Sequence, residues 1–295
     1  MLNPDVDPKD FIRPGHIFPL IANNHGVLKR AGHTEATVDL MKEAKMQPAG
    51  VICEIMNEDG TMARVPDLMK IAEEWNLKII TIEDLVSYRL KKNCFLKSTS
   101  GISLPTKLGD FNVQVFSPSY DPKTEVIAIS KGNLKNASSL PVRIHSQCFT
   151  GDALGSLKCD CGEQLDSALK FIEENDNGLI IYLHQEGRNI GLTDKINAYA
   201  LQEKGEDTVE ANLSLGRKED EREYSLAQQV LKFWDIQSIE LITFNPLKRK
   251  QLEQLGILIE KTISLTNTSN KHNHRYLMTK INKMGHDENL MINKH

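Results

Sequence analysis

Cys148 is followed after ten residues by Cys159 and after one more by Cys161, all within HSQCFTGDALGSLKCDCGEQL (145–165). A C-x-C pair in a Gly/Asp-rich turn packs poorly and chelates well. Three thiolates with a fourth position left open describe a catalytic zinc, whereas a structural zinc closes with a fourth protein ligand, for which His145 and His184 are the candidates. An open zinc lowers the pKa of a bound water to about 7, enough for hydrolysis at neutral pH. Pairing into disulfides is the competing use of neighbouring cysteines. The N-terminus MLNPDVDPKD carries acidic residues and no apolar core, unlike a signal peptide. No apolar run approaches the roughly 18–20 residues that span a bilayer. The expected compartment is therefore cytoplasmic, where disulfides are rare and clustered thiols point to metal.

Other chemistry-bearing residues are less telling singly. Tyr199 in INAYALQ reads as helix packing, Asp220 and Arg222 in RKEDERE as a charged face, and Glu186 and Arg188 around Gly187 as a surface turn. The formal charge is −4 with a pI of about 6.2. No general basic excess marks a nucleic-acid binder, so a polyanionic small substrate would need a local basic pocket. Walker A and GxGxxG phosphate loops are both missing.

The elements that must position these residues follow from pattern. The 295 residues suit two domains of ordinary size. Helices are expected over 34–44, with Thr34 as N-cap, over 66–75, with Pro66 at the first position, and over 83–92. Apolar runs predict buried strands at 49–56 and 77–82. Residues 93–102 read as a linker. Alternation over 103–116 restarts strand structure, GLIIYL (178–183) and SIELIT (238–243) are buried strands, and helices are expected over 163–175, 193–204, 225–234 and 247–256. Leu165, Ala168, Leu169 and Ile172 share one helical face. Residues 266–295 show little core-forming pattern. Both parts are mixed α/β.

With these motifs in view, residues 103–286 resemble GTP cyclohydrolase II. The likeness rests on RIHSQCFTGDALGSLKCDCGEQL, HQEGRNIGLTDKINAYALQEKGEDTVEAN, LGRKEDEREY, LITFNPLKRKQL and YLMTKINKMGH, in that order. It implies riboflavin biosynthesis and hydrolysis of GTP to 2,5-diamino-6-(5-phosphoribosylamino)pyrimidin-4-one, formate and pyrophosphate. By registration, Cys148, Cys159 and Cys161 would hold zinc, Tyr199 would assist proton transfer at the guanine ring, Asp220 would be a general base, and Arg222 a nucleophile toward the α-phosphate. Arg143, His145, Ser146, Gln147, Gln164, Glu186, Gly187, Arg188, Thr208, Thr243 and Lys248 would line the GTP site. Magnesium is expected on the phosphates, and the family is usually dimeric. Three departures lie beside the site: Gln147 where the family has glutamate, Arg217, Lys218 and Glu219 before Asp220, and Phe244 in the family's T-N-N-P. They leave a second expectation open, a catalytically degenerate domain serving as scaffold or regulator of a synthase.

FIRPGHIFPL, LKRAGHTEATVDLM, AGVICEIMNEDGTMAR and ITIEDLVSYR in residues 1–92 resemble the C-terminal part of 3,4-dihydroxy-2-butanone-4-phosphate synthase, often fused ahead of the cyclohydrolase. By position Arg30, Ala31, Gly32, His33 and Thr34 would hold the substrate phosphate at a helix start. His33 would be a ligand of a remnant magnesium site, and His16 and Glu54 would face substrate. The family's acidic metal loop has no counterpart here, so no synthase activity is expected. The expected organisation is a synthase fragment (1–92), a linker (93–102), a cyclohydrolase domain (103–286) and a tail (287–295).

Overall fold

The computed structural model describes residues 2, 5–12, 14–265 and 269–286; the tail 287–295 lies outside them. The chain divides into two units, Met1–Asn93 and Cys94–His295.

The first unit carries helices α1 (His33–Glu43), α2 (Val65–Glu74) and α3 (Ile82–Lys92). Its small core gathers Val27, Ala36 and Leu85, with Ile82 and Val86 against them. Two buried carboxylates of α1 tie the unit together. Asp39 accepts from the Val27 amide at 2.8 Å and from Arg89 at 2.6 Å. Glu35 accepts from the Asn23 amide at 3.0 Å and from Arg30 at 2.8 Å. The helix starts at His33 with Gly32 at the N-cap position, so Thr34 lies within the first turn and caps nothing. The strands expected at 49–56 and 77–82 do not form. A strand needs a neighbour's row of amides and carbonyls, and the only pairing described there is a Met56–Met62 bridge. Val51 is consequently 90% exposed and Ile80 57% exposed.

The second unit is built on one mixed sheet. Its strands are β1 (Leu96–Ser98), β2 (Ile102–Thr106), β3 (Gly109–Pro118), β4 (Val126–Lys131), β5 (Leu140–Ser146), β6 (Gly178–Leu183), β7 (Ile239–Ile242) and β8 (Ile259–Ile263). They lie in the order β1-β3-β4-β6-β5-β7-β8, with β2 also on β3. Strands β1 to β4 pair antiparallel and β4 meets β6 antiparallel, whereas β6, β5, β7 and β8 run parallel. Part of the stretch 93–102 read as a linker is thus sheet: Leu96–Ser98 pairs with Phe116–Pro118. Its three-residue length hid it from pattern.

Helices α4 (Cys161–Glu174), α5 (Glu186–Asn189, a single turn), α6 (Gly191–Glu203), α7 (Thr208–Ser214), α8 (Ser225–Phe233), α9 (Pro246–Gln254) and α10 (His274–Met284) complete the unit. Two cores sandwich the sheet. On one face Val142, Ile144, Leu179, Ile181 and Leu241 meet Ala227, Val230 and Leu231 of α8 and Leu252 of α9. On the other, Phe111 and Ile180 meet Ala168 and Ile172 of α4, with Leu165 and Leu169 beside them. Each fully buried large side chain contributes roughly 1.5–3 kcal/mol of transfer free energy. The weak patterning after residue 265 is misleading, because α10 forms and buries Leu277 and Met284. Leu277, Ile281 and Met284 recur at helical spacing inside otherwise polar sequence.

Candidate active site

Strand β5 alternates between two tasks. Val142 and Ile144 enter the core, while Arg143 and His145 point to the opposite face and line a cavity. The cavity, of about 1020 Å³ including its mouth, opens beyond the C-terminal ends of β5, β6 and β7, the usual place for a site on parallel strands. From β5 the chain runs through Ser146 and Gln147 to Cys148 and a π-turn, Phe149–Ala153. Beyond β7, Asn245 caps α9 by accepting from the Leu247 and Lys248 amides, fixing where Lys248 starts.

The Cys148, Cys159 and Cys161 sulfurs lie within 4.8 Å of one another, and the first two are 3.6 Å apart. Among the described residues no other group of three or more such side chains has this spacing. Cys148 is pushed far below the ordinary thiol range by hydrogen bonds from Cys159 and Cys161, then by Lys195. With that thiolate present, Cys159 is pushed up to about 11 and Cys161 well up, because further charges beside it are disfavoured. A cation is the natural way to ionise all three. The turn also leaves room for one: a Cβ on Gly151 would stand 3.0 Å from the Cys159 sulfur and 3.1 Å from that of Cys148. Neither histidine weighed as a fourth ligand joins the group. His145 Nε2 lies 3.2 Å from both Asp152 carboxylate oxygens, and His184 Nδ1 is 2.9 Å from Gln147 Oε1.

Around the sulfurs the cavity is strongly cationic. Lys248 is 4% exposed and its Nζ donates to the Ile144 carbonyl at 2.7 Å. Burial first, then Arg143 and Arg222, hold it well below its ordinary pKa. Arg143 donates to Gln164 Oε1 and, at 3.1 Å, to the Ile242 carbonyl. Arg222 grips Asp220, its Nε 2.8 Å from Oδ1 and its Nη2 on Oδ2. Burial raises Asp220, but the bonds to Arg222 outweigh it, and the carboxylate is held below its usual range. Tyr199 faces the cavity, and burial pushes its phenol up to about 12. Arg143 Nε, His145 Nδ1 and Ser146 Oγ are buried with no hydrogen-bond partner among the described residues. Burial keeps His145 neutral; with its Nε2–H donated to Asp152, Nδ1 is an acceptor.

Of the residues expected at the site, Gln147, Gln164, Gly187, Arg188, Thr208 and Thr243 also line the cavity, whereas Glu186 and Asp220 stand behind its wall. Three departures find a physical place. Gln147 Oε1 accepts from His184 Nδ1 at 2.9 Å; Arg217 pairs with Asp194, its Nε at 2.8 Å; and Phe244 packs with Leu277 of α10. Lys195, Asp160 and α10 escaped sequence reasoning. Tyr276, Lys280, Met284 and His286 form a wall of the cavity, and Lys280 Nζ donates to buried Asp160, between two cysteines, at 2.7 Å. The motif YLMTKINKMGH contained the signal, but nothing in it said which residue turns inward.

In the first unit the expected site residues form no metal-sized group among the described residues. Arg30 is ion-paired to Glu35; Ala31 and Gly32 precede α1, and Thr34 lies within its first turn. His16, His33 and Glu54 are exposed, and His33 belongs to no metal-sized group among the described residues.

The profile of the GTP cyclohydrolase II family matches residues 97–264, and that of 3,4-dihydroxy-2-butanone 4-phosphate synthase matches residues 1–88. The riboflavin biosynthesis protein RibBA of Phocaeicola vulgatus is 48% identical over 286 residues, 97% of this chain and 70% of that protein. RibBA of Bacillus cereus is 50% identical over 290 residues, 98% of this chain and 73% of its own length. A crystal structure of RibBX, a two-domain 3,4-dihydroxy-2-butanone 4-phosphate synthase from A. baumannii, is similar at 31% identity and TM-score 0.55, covering 87% of this chain and 66% of that one. No helix among the described residues is long and apolar enough to cross a membrane. With more than half its length matched by one profile and close to half its residues identical to those of RibBA proteins, the chain belongs to the GTP cyclohydrolase II family, hydrolases of riboflavin biosynthesis.

Proposed function

We propose that the second unit hydrolyses GTP to 2,5-diamino-6-(5-phosphoribosylamino)pyrimidin-4-one, formate and pyrophosphate, with zinc held by Cys148, Cys159 and Cys161. One observation carries the reading: three convergent thiols open onto the same cavity as buried cations with no carboxylate to balance them all. When bound, zinc supplies Lewis acidity and a water acidic enough to attack at neutral pH.

The protein's own groups divide the remaining work. His145 Nδ1 and Ser146 Oγ, buried on the cavity without a partner among the described residues, are placed to meet the purine. Lys248, Arg143 and Arg188 supply positive charge for the triphosphate, and magnesium belongs on the phosphates rather than in a protein cage. Tyr199, protonated at neutral pH, is placed to donate a proton as the imidazole ring opens. Arg222, oriented by Asp220, meets the α-phosphate. The first unit, which the synthase profile matches over residues 1–88, is assigned no activity of its own. The full assignment is a cytoplasmic homodimer, to be tested by light scattering.

The decisive experiment incubates zinc-loaded protein with GTP and Mg²⁺ and assays formate and pyrophosphate. Both products are expected; neither appearing would overturn the reading. A second reading, a cyclohydrolase-like scaffold for a synthase, draws on Gln147 and on the similarity to RibBX. It requires zinc and GTP to bind without formate release.

A further inference from the structure

Glu186 and Lys195 have no part in the mechanism above, yet they are buried together. Their side chains are 10% and 9% exposed, and Lys195 Nζ lies 2.6 Å from Glu186 Oε1. The same ammonium lies 3.0 Å from the Cys148 sulfur. The second Glu186 oxygen accepts from the amide of Phe149, the residue after Cys148, at 2.6 Å. One carboxylate therefore holds both the lysine on the sulfur and the backbone beside it. Both Glu186 oxygens are engaged, and Glu186 does not line the cavity.

The backbone is shaped for this contact. Gly187 adopts φ +61°, and a Cβ there would sit 3.0 Å from the Lys195 Cβ. Only glycine lets the 186–189 turn approach α6 at Lys195 this closely.

Charge gives the arrangement its purpose. Three thiolates around a dication carry one net negative charge in a buried site. An ammonium on one sulfur offsets it and fixes the direction of that sulfur's lone pairs. The carboxylate keeps the ammonium from swinging away.

We propose that Lys195 and Glu186 are a positioning pair for the Cys148 thiolate. The proposal rests on the zinc reading above. Partners one step out from a metal ligand typically govern about 10–100-fold in metal affinity.

The test measures zinc affinity by chelator competition on the full chain and records the thiolate-to-metal absorption of the cobalt-substituted protein. Lys195→Met and Glu186→Gln are each expected to weaken zinc by about 10–100-fold and to shift the cobalt charge-transfer band. The double variant is expected to be no worse than the weaker single one, because the two residues act as a unit. Lys195→Arg, which keeps charge and donor, is expected to recover most of the affinity. Should Lys195→Met fail to fold, Glu186→Gln alone decides. Glu186→Gln that raises KM for GTP while zinc affinity and cobalt spectrum stay those of the parent would overturn the pair. A parent protein that takes up no zinc would instead overturn the reading beneath it.

Discussion

At the scale of single residues, the cavity holds charge that the fold does not neutralise. Lys248 is the sharpest case, buried against a carbonyl with Arg143 and Arg222 nearby. Its folded pKa is depressed, so in the free protein the unfolded chain binds the proton more readily, and stability rises with pH up to the ordinary lysine value of 10.5. A triphosphate reverses this local balance and draws the lysine proton back. GTP binding is therefore expected to take up protons, seen by calorimetry in buffers of different ionisation enthalpy, and Lys248→Met should abolish most of the uptake while raising KM at least 10-fold. An uptake identical in Lys248→Met would remove Lys248 from the phosphate site. Much of this chemistry was legible beforehand. The thiol spacing and the alternation of β5 are local patterns, and local patterns survive in sequence. The roles of Lys195 and Asp160 depend on which side chain of a helix or loop turns inward, which is set by packing over distances of 47 and 120 residues.

Among the elements, α10 is the one whose importance sequence hides most. It is short and mostly polar, and it joins the site through an apolar seat of Leu277 against Phe244, with Tyr276 and Ile281 beside them, through Met284 under Arg188 and through the buried Lys280–Asp160 pair. Leu277 is fully buried, so Leu277→Ala is expected to cost about 2–5 kcal/mol. Since that seat holds a wall of the cavity, the substitution should also raise KM, whereas a cavity-forming change in the opposite core, Ile172→Ala, should lower the denaturation midpoint with little effect on KM. Equal effects of both on KM would mean that α10 is a bystander. The helices α4 and α8 were readable from an apolar stripe, and α2 from its stripe together with Pro66 at its start. The expected strands at 49–56 and 77–82 were misread for a general reason: an apolar run states a preference for burial, but a strand exists only when a neighbour offers hydrogen bonds.

On the scale of the whole molecule, the two units differ in how well they bury themselves. The second has a sheet covered on both faces. The first has a small core around Val27, Ala36 and Leu85 among the described residues and leaves Ile21, Val51 and Trp75 exposed at 96%, 90% and 69%. Limited proteolysis is therefore expected to cut first within 50–54 and 78–81, where no strand pairing forms, leaving a resistant fragment that retains the sheet of residues 96–263. Mass spectrometry of the first fragments checks it; initial cuts inside the sheet of the second unit would contradict it. The Lys280–Asp160 contact also has a consequence in time. At about 5–20 residues per second of synthesis, the 120 residues between the partners delay their meeting by roughly 6–24 s. During that interval the cysteine loop has been made but lacks the wall that α10 supplies, so the finished cavity waits until α10 has left the ribosome.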